Sequence, residues 1–268
     1  MYKRESFYFW DDDPGVSLEA YIPERGENLP AVVILPGGAY FALSEKEGSE
    51  VAKYFAQKGL AAFLLRYSTM HPSFEEACSP KNPHTRFPEP LYVVASAIRL
   101  IRGNADEFSV NPDSISLVGF SAGGHLAANY CNEWNSSAVY EAVGAMPEEI
   151  RPNACVLCYA ATRLRRSSAT MNLAVFGERE SYPDELLRRW CAAEHVNRST
   201  PPTFLWHTLT DSMVPVSQSY AMAEALAEEG IPHELHIFSE GEHASGLAEG
   251  MAASPWKELA VSFIKRYT

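Results

Sequence analysis

Ser114-Ile115-Ser116-Leu117-Val118-Gly119-Phe120-Ser121-Ala122-Gly123-Gly124-His125 is the stretch that decides the fold. Residues 114–118 alternate β-branched and apolar side chains with serines, the pattern of a buried strand. Ala122 to Tyr130 is rich in alanine and predicts a helix packed close against that strand. Between them lies G-x-S-x-G, Gly119 to Gly123. Strand, sharp turn, serine and helix in this order make a nucleophile elbow. The flanking glycines leave room for a strained turn that a Cβ would obstruct, so the Ser121 hydroxyl can project above the sheet edge. The bland reading of the pentapeptide alone is a glycine-rich turn with a solvated serine. The strand before it and the helix after it favour the elbow.

Working outward, strand-length apolar runs alternate with helical patterns, which predicts a mostly parallel sheet with helices on both faces. Residues 6–10 and 17–22 read as a leading antiparallel pair joined through Asp12-Asp13-Pro14-Gly15. Ala31 to Leu35 is a buried strand that ends at Pro36-Gly37-Gly38. Glu47 to Lys58 is helical and stops at Gly59, and Leu60 to Leu65 returns as a strand. Residues 67–90 carry Pro72, Pro80, Pro83, Pro88 and Pro90, which predicts a long loop able to line a site. Leu91 to Arg102 places Leu91, Val94, Ala95, Ile98 and Ile101 on one helical face. After a strand over Ala154 to Ala160, residues 161–199 break the alternation and read as a small cap insertion with short helices at 171–176 and 183–193. Strands at 203–208 and 234–238, and helices at 216–229 and 255–267, complete one domain over 1–268.

Composition bounds the function. The 268 residues are 46% apolar and 21% charged, the balance of an ordinary globular chain. A net charge of −12, from 34 acidic and 22 basic side chains, repels phosphate backbones and argues against a nucleic-acid partner. No apolar run approaches the ~20 residues that span a bilayer, so no membrane association is expected. The amino terminus shows no signal-peptide pattern. With five cysteines, an odd and scattered set, this predicts a cytoplasmic protein with free thiols; a processed secreted form stays open. Cys155 and Cys158 form a C-x-x-C, but on a strand positions three apart face opposite ways, so core packing is expected rather than a redox or zinc pair.

A serine hydroxyl needs a base within reach and an acid to orient that base. In open α/β sheets such groups converge at the carboxyl ends of strands. Asp211 follows the strand ending at Thr208, and His243 follows the strand ending at Phe238. Ser121, Asp211 and His243 are therefore the expected catalytic set. Glu240 and Glu242 are rival acids, and their closeness to His243 suits solvated loop charges better. Of the other histidines, His125 should pack near the site, while His207 and His236 read as satisfied strand residues. The oxyanion formed on attack needs backbone amides. Ala122 supplies one, and the glycine loop Pro36-Gly37-Gly38-Ala39-Tyr40 supplies the others.

At these residues the chain resembles the α/β-hydrolase superfamily, in its esterase branch with an H-G-G-G-type loop. That branch holds hormone-sensitive-lipase-like esterases and bacterial acetyl-xylan and feruloyl esterases. The resemblance spans nearly the whole chain and is weakest over 67–90 and 161–195. The order Ser121, Asp211, His243 is the order that superfamily uses. It implies oxyanion amides at Gly38, Ala39 and Ala122, substrate contacts at Tyr40, His125 and Val214, and no metal or cofactor. Pro36 stands where the loop's usual histidine would, and Ala39 where its third glycine would. The resemblance implies a serine carboxylesterase for short acyl esters, with acetylated xylo-oligosaccharides as the expected substrate. A peptidase or arylformamidase on the same scaffold, or a non-catalytic binding protein, remains the alternative, and the oligomeric state is open.

Overall fold

The computed structural model describes residues 2–7, 13, 15–79 and 81–267. The chain runs β1 (Tyr2–Phe7), β2 (Ser17–Pro23), β3 (Leu29–Leu35), α1 (Ser49–Gln57), β4 (Ala61–Arg66), α2 (Glu89–Gly103), β5 (Val110–Phe120) and α3 (Ser121–Glu133). It continues with α4 (Ser137–Tyr140), β6 (Ala154–Cys158), α5 (Ala169–Phe176), α6 (Asp184–Arg188), β7 (Thr203–Thr208), α7 (Ser217–Glu228), β8 (His233–Phe238) and α8 (Trp256–Tyr267). All eight strands form one sheet in the order β1-β2-β4-β3-β5-β6-β7-β8. The pairings β1–β2 and β2–β4 are antiparallel, and the remainder are parallel. This is the α/β-hydrolase fold.

The leading antiparallel pair sits earlier than the sequence pattern suggested. Its first strand is Tyr2–Phe7, and residues 8–12 and 14, which carried the rest of the expected strand and turn, lie outside the described residues. The four-residue α4 has too few apolar positions to show a period.

Alternation along each strand divides the core in two. Val33, Leu35, Ile115, Leu117, Leu157 and Leu205 pack with α2, α3 and α7 on one face. Val32, Ile34, Val118, Phe120, Val156 and Trp206 pack with α1 and α8 on the other. Cys155 belongs to the first cluster and Cys158 to the second, so the C-x-x-C spans the sheet and all five cysteines are free. No helix among the described residues is long and apolar enough to cross a membrane.

Helix α3 lies so close to the sheet that its glycines are required. A Cβ on Gly123 would come within 2.1 Å of the Leu35 carbonyl oxygen and 2.4 Å of that of Pro36. A Cβ on Gly119 would meet the Gly123 oxygen at 2.5 Å. Gly103, at the end of α2, has no atom within 4 Å of the same position. Gly123→Ala should therefore destabilise the fold by about 3 kcal/mol or more, because backbone must move. Gly103→Ala should stabilise it by about 0.5 kcal/mol through the unfolded state. Urea unfolding of both variants checks the contrast, and equal midpoints would contradict it.

Candidate active site

Ser121 follows β5 directly and opens α3. Its φ is 49°, a left-handed value that costs a non-glycine residue about 1–2 kcal/mol. The preceding Phe120 is still extended, with φ −109° and ψ 131°, so the chain reverses sharply at the serine.

His243 Nε2 lies 2.8 Å from Ser121 Oγ, and its Nδ1 lies 2.6 Å from Asp211 Oδ2. The carboxylate only accepts, so Nδ1 carries the ring proton and Nε2 is free to take one from the serine. Asp211 Oδ1 accepts from the amides of Met213 and Val214, each at 2.9 Å. Burial alone would raise the Asp211 pKa. Hydrogen bonds from His207, His243 and the Val214 amide outweigh it and hold the carboxyl well below the usual carboxylate range. The two loops are also tied to each other. Thr208 Oγ1 and Thr210 Oγ1 donate to the Gly241 carbonyl, at 2.9 and 3.0 Å, and the Gly241 amide donates to Thr210 Oγ1 at 2.9 Å.

After β3 the chain enters a second strained turn, with φ of 118°, 55° and 58° at Gly38, Ala39 and Tyr40. A Cβ on Gly38 would fall 1.8 Å from the Ala42 carbonyl oxygen, so glycine is required there. The Gly38 and Ala39 amides reach no acceptor among the described residues. The Ala122 amide lies in the first turn of α3, where the helix itself offers no partner. A cavity of about 320 Å³ opens here, lined by Gly38, Ala39, Phe41, Phe74, Ser121 and His243 among others. An oxygen bound in it can meet unpaired donors beside an activated hydroxyl. Among the described residues no group of His, Cys, Asp and Glu is arranged to hold a metal ion.

Residues 18–226 match the BD-FAE family. The chain belongs to that family. It is 31% identical to the acetyl ester-xyloside bifunctional hydrolase of Caldicellulosiruptor lactoaceticus, with a TM-score of 0.79 over 96% of this chain and 90% of that one. It is 28% identical to an acetylxylan esterase of Xylanibacter ruminicola over 88% of its own length, and 29% identical to endo-1,4-beta-xylanase B of Butyrivibrio fibrisolvens over 90%. The BD-FAE chain spans only 45% and 36% of those two proteins respectively.

Three residues expected to touch substrate stand elsewhere. Tyr40 and His125 are fully buried and bonded to each other, Tyr40 Oη to His125 Nδ1 at 2.9 Å. His125 Nε2 donates to the Trp190 carbonyl at 2.8 Å. The pair braces the glycine loop from beneath. Val214 serves Asp211 through its amide, and its neighbour Met213 lines the cavity instead. Glu240 and Glu242, the rival acids, are exposed.

His207 has a larger part than a satisfied strand residue. It is fully buried, and its Nε2 lies 3.1 Å from Asp211 Oδ2 and 2.9 Å from the Val214 carbonyl. Both partners accept, so Nε2 is protonated and Nδ1 is left to accept from Ser219 Oγ at 2.7 Å. The only sequence signal was its position four residues before the acid.

Burial lowers the His125 pKa from 6.5 to about 4, against a smaller upward pull from the Trp190 carbonyl. Below pH 6.5 the unfolded chain binds a proton that the folded chain refuses until about pH 4, so stability is full above 6.5 and falls as the pH is lowered through that window. The loss is about 3 kcal/mol by linkage. His125→Gln keeps a donor and an acceptor but does not titrate. Urea melts at pH 7 and pH 4 should show the wild type losing about that much more than the variant; parallel losses would refute the assignment.

Proposed function

We propose that this BD-FAE protein is a serine carboxylesterase for short acyl esters, and that its substrates are acetyl esters of xylose-containing oligosaccharides. The observation that carries the reading is the unbroken hydrogen-bond chain Ser121–His243–Asp211 at the floor of a cavity lined by Gly38 and Ala39. In this reading His243 takes the proton of Ser121 as the oxygen attacks the ester carbonyl. Asp211 holds the imidazole tautomer and stabilises the imidazolium that forms. The Gly38, Ala39 and Ala122 amides receive the oxyanion, and loss of one such donor typically costs about 3 kcal/mol of barrier. His243 then protonates the leaving alcohol, and the acyl-enzyme is hydrolysed by water activated through the same ring.

Support for the substrate class comes from the cavity and the relatives. About 320 Å³ suits a small acyl group beside part of a sugar better than a long lipid chain. The 161–199 segment acts as a partial cap within one catalytic domain and contributes Thr170 to the cavity wall. Relatives named for acetyl esters and xylan align over most of this chain. Five free cysteines, four of them buried, suit a reducing compartment, and we assign the chain to the cytoplasm.

Purified protein should hydrolyse p-nitrophenyl acetate faster than the decanoate and release acetate from acetylated xylo-oligosaccharides. A preference for decanoate would defeat the sugar-ester reading. Faster turnover of an amide panel would favour a peptidase or arylformamidase. Ser121→Ala should lower kcat by on the order of 10⁴-fold or more and abolish fluorophosphonate labelling, with an unchanged melting temperature.

A further inference from the structure

Glu47 is a carboxyl buried without a basic partner. It is 0% exposed, and among the described residues no Lys or Arg pairs with it. A carboxylate in that position is expensive to keep, and such groups gather at functional sites. Its two oxygens reach two parts of the site. Oε2 accepts from the Gly37 amide at 2.7 Å, one residue before the unpaired Gly38 and Ala39 amides. Oε1 accepts from the Tyr159 hydroxyl at 2.7 Å. That hydroxyl accepts in turn from the Gly246 amide at 3.0 Å, in the loop that carries His243. The Tyr159 ring packs edge-on against the His243 ring, with centroids 4.9 Å apart.

The space between these groups is tight. A Cβ on Gly37 would lie 2.8 Å from Glu47 Oε2 and 2.8 Å from Ser121 Cβ, so the loop is sandwiched between carboxylate and serine. A Cβ on Gly246 would lie 2.5 Å from the carbonyl oxygen of Lys46, which sets the histidine loop against the chain at Glu47.

We propose that Glu47, acting through Gly37 and Tyr159, is a positioning residue that locks the glycine loop to the histidine loop and supplies a second negative charge favouring protonated His243. This deepens the serine-esterase reading and rests on it. Both donors present hydrogens to the carboxyl, which the ionised form accepts through both oxygens. A proton on Oε1 would leave the Tyr159 hydroxyl hydrogen without a partner. Burial pushes the Glu47 carboxyl up, opposed by Tyr159, Gly37, His243 and Ser44. The titratable groups around it are Tyr159 and Cys158 at the end of β6, Tyr67 after β4, and His243. His243 in turn faces Asp211, Tyr159 and Ser121. Of these four groups, His243 is the one able to become a cation, and the proposed reaction makes it one.

The test compares Glu47→Gln, Glu47→Asp and Tyr159→Phe with the wild type. Each is measured by thermal melt, by kcat and KM for p-nitrophenyl acetate across pH, and by NMR titration of the His243 ring without substrate. E47Q keeps shape but loses charge. It should lower kcat by about 10- to 100-fold with KM nearly unchanged, since a loop displaced by a fraction of an ångström suffices. It should also move the acid limb and the ring titration to lower pH by about half a unit or more. E47D and Y159F keep the charge, so they should lower kcat while leaving the titration midpoint near the wild-type value. A folded E47Q with wild-type kcat and midpoint overturns the proposal. Should E47Q not fold, a folded E47D or Y159F with undiminished kcat overturns it equally. The NMR arm separates the two readings. A wild type inert toward every ester, yet with a ring titration that E47Q displaces, defeats the reaction while the coupling stands.

Discussion

The close approach of α3 to the carboxyl ends of β3 and β6 governs the rest of this structure. Gly123 sits against the carbonyls of Leu35 and Pro36, and Gly124 against Ala160, at separations that admit no side chain. With the helix pressed there, the chain leaving β5 can reach it only through a left-handed residue, and Ser121 takes that conformation. The strain is held because the ends of β3 and β6 on either side are buried. The same contact fixes the start of the glycine loop. Pro36, whose carbonyl touches the helix, also receives a hydrogen bond from the Tyr67 hydroxyl at 2.5 Å. Where a histidine side chain is absent at residue 36, Tyr67 and Glu47 hold this loop from two directions.

Two buried carboxyls flank the serine and histidine, and their environments push them apart. Asp211 accepts from His243, His207 and the amides of Met213 and Val214, and these donors overcome burial. Glu47 accepts from Gly37 and Tyr159, and burial keeps the upper hand. In both, desolvation is set against the groups that favour the anion, and the balance falls on opposite sides. Asp211 is thereby a fixed anion, suited to holding one tautomer. The Glu47 charge is more weakly held and closely tied to what surrounds it.

The fold was legible because its signals are short in range. Apolar periodicity marks strands and helices within a few residues of their ends, and glycines mark the tight approaches. The meeting of Ser121, Asp211 and His243 was legible too, since each follows a strand and parallel strands bring such positions to one edge. What escaped the sequence was pairing across long separations. Glu47 and Tyr159 are 112 positions apart, and Tyr40 and His125 are 85 apart. Glu47 in sequence looks like any acid near a helix start. Tyr40 and His125, being beside the loop and the serine, look like substrate contacts, yet the strained turns point them inward and the backbone, not the side chains, faces the cavity. His207 occupies an inward strand position where the pattern calls only for something buried, and nothing local says that its partner is the acid.

Rigidity and exposure divide the site into two parts with different freedoms. The serine, histidine, acid and glycine loop are each held by several hydrogen bonds to buried groups, so a change in one propagates to its neighbours. The rim is different. Phe74 is 55% exposed and rests on Phe41, with ring centroids 5.8 Å apart, and Met213 is 72% exposed. Phe74 comes from the proline-rich loop between β4 and α2, and Thr170 from the segment that interrupts the strand–helix alternation. Neither segment donates a strand to the sheet, yet each is tied to the layer beneath, one through Tyr67 to Pro36 and Met70 to Tyr40, the other through Trp190 to His125. The buried layer holds Ser121, His243 and Asp211 together, while the rim of the cavity is built from exposed residues on loops.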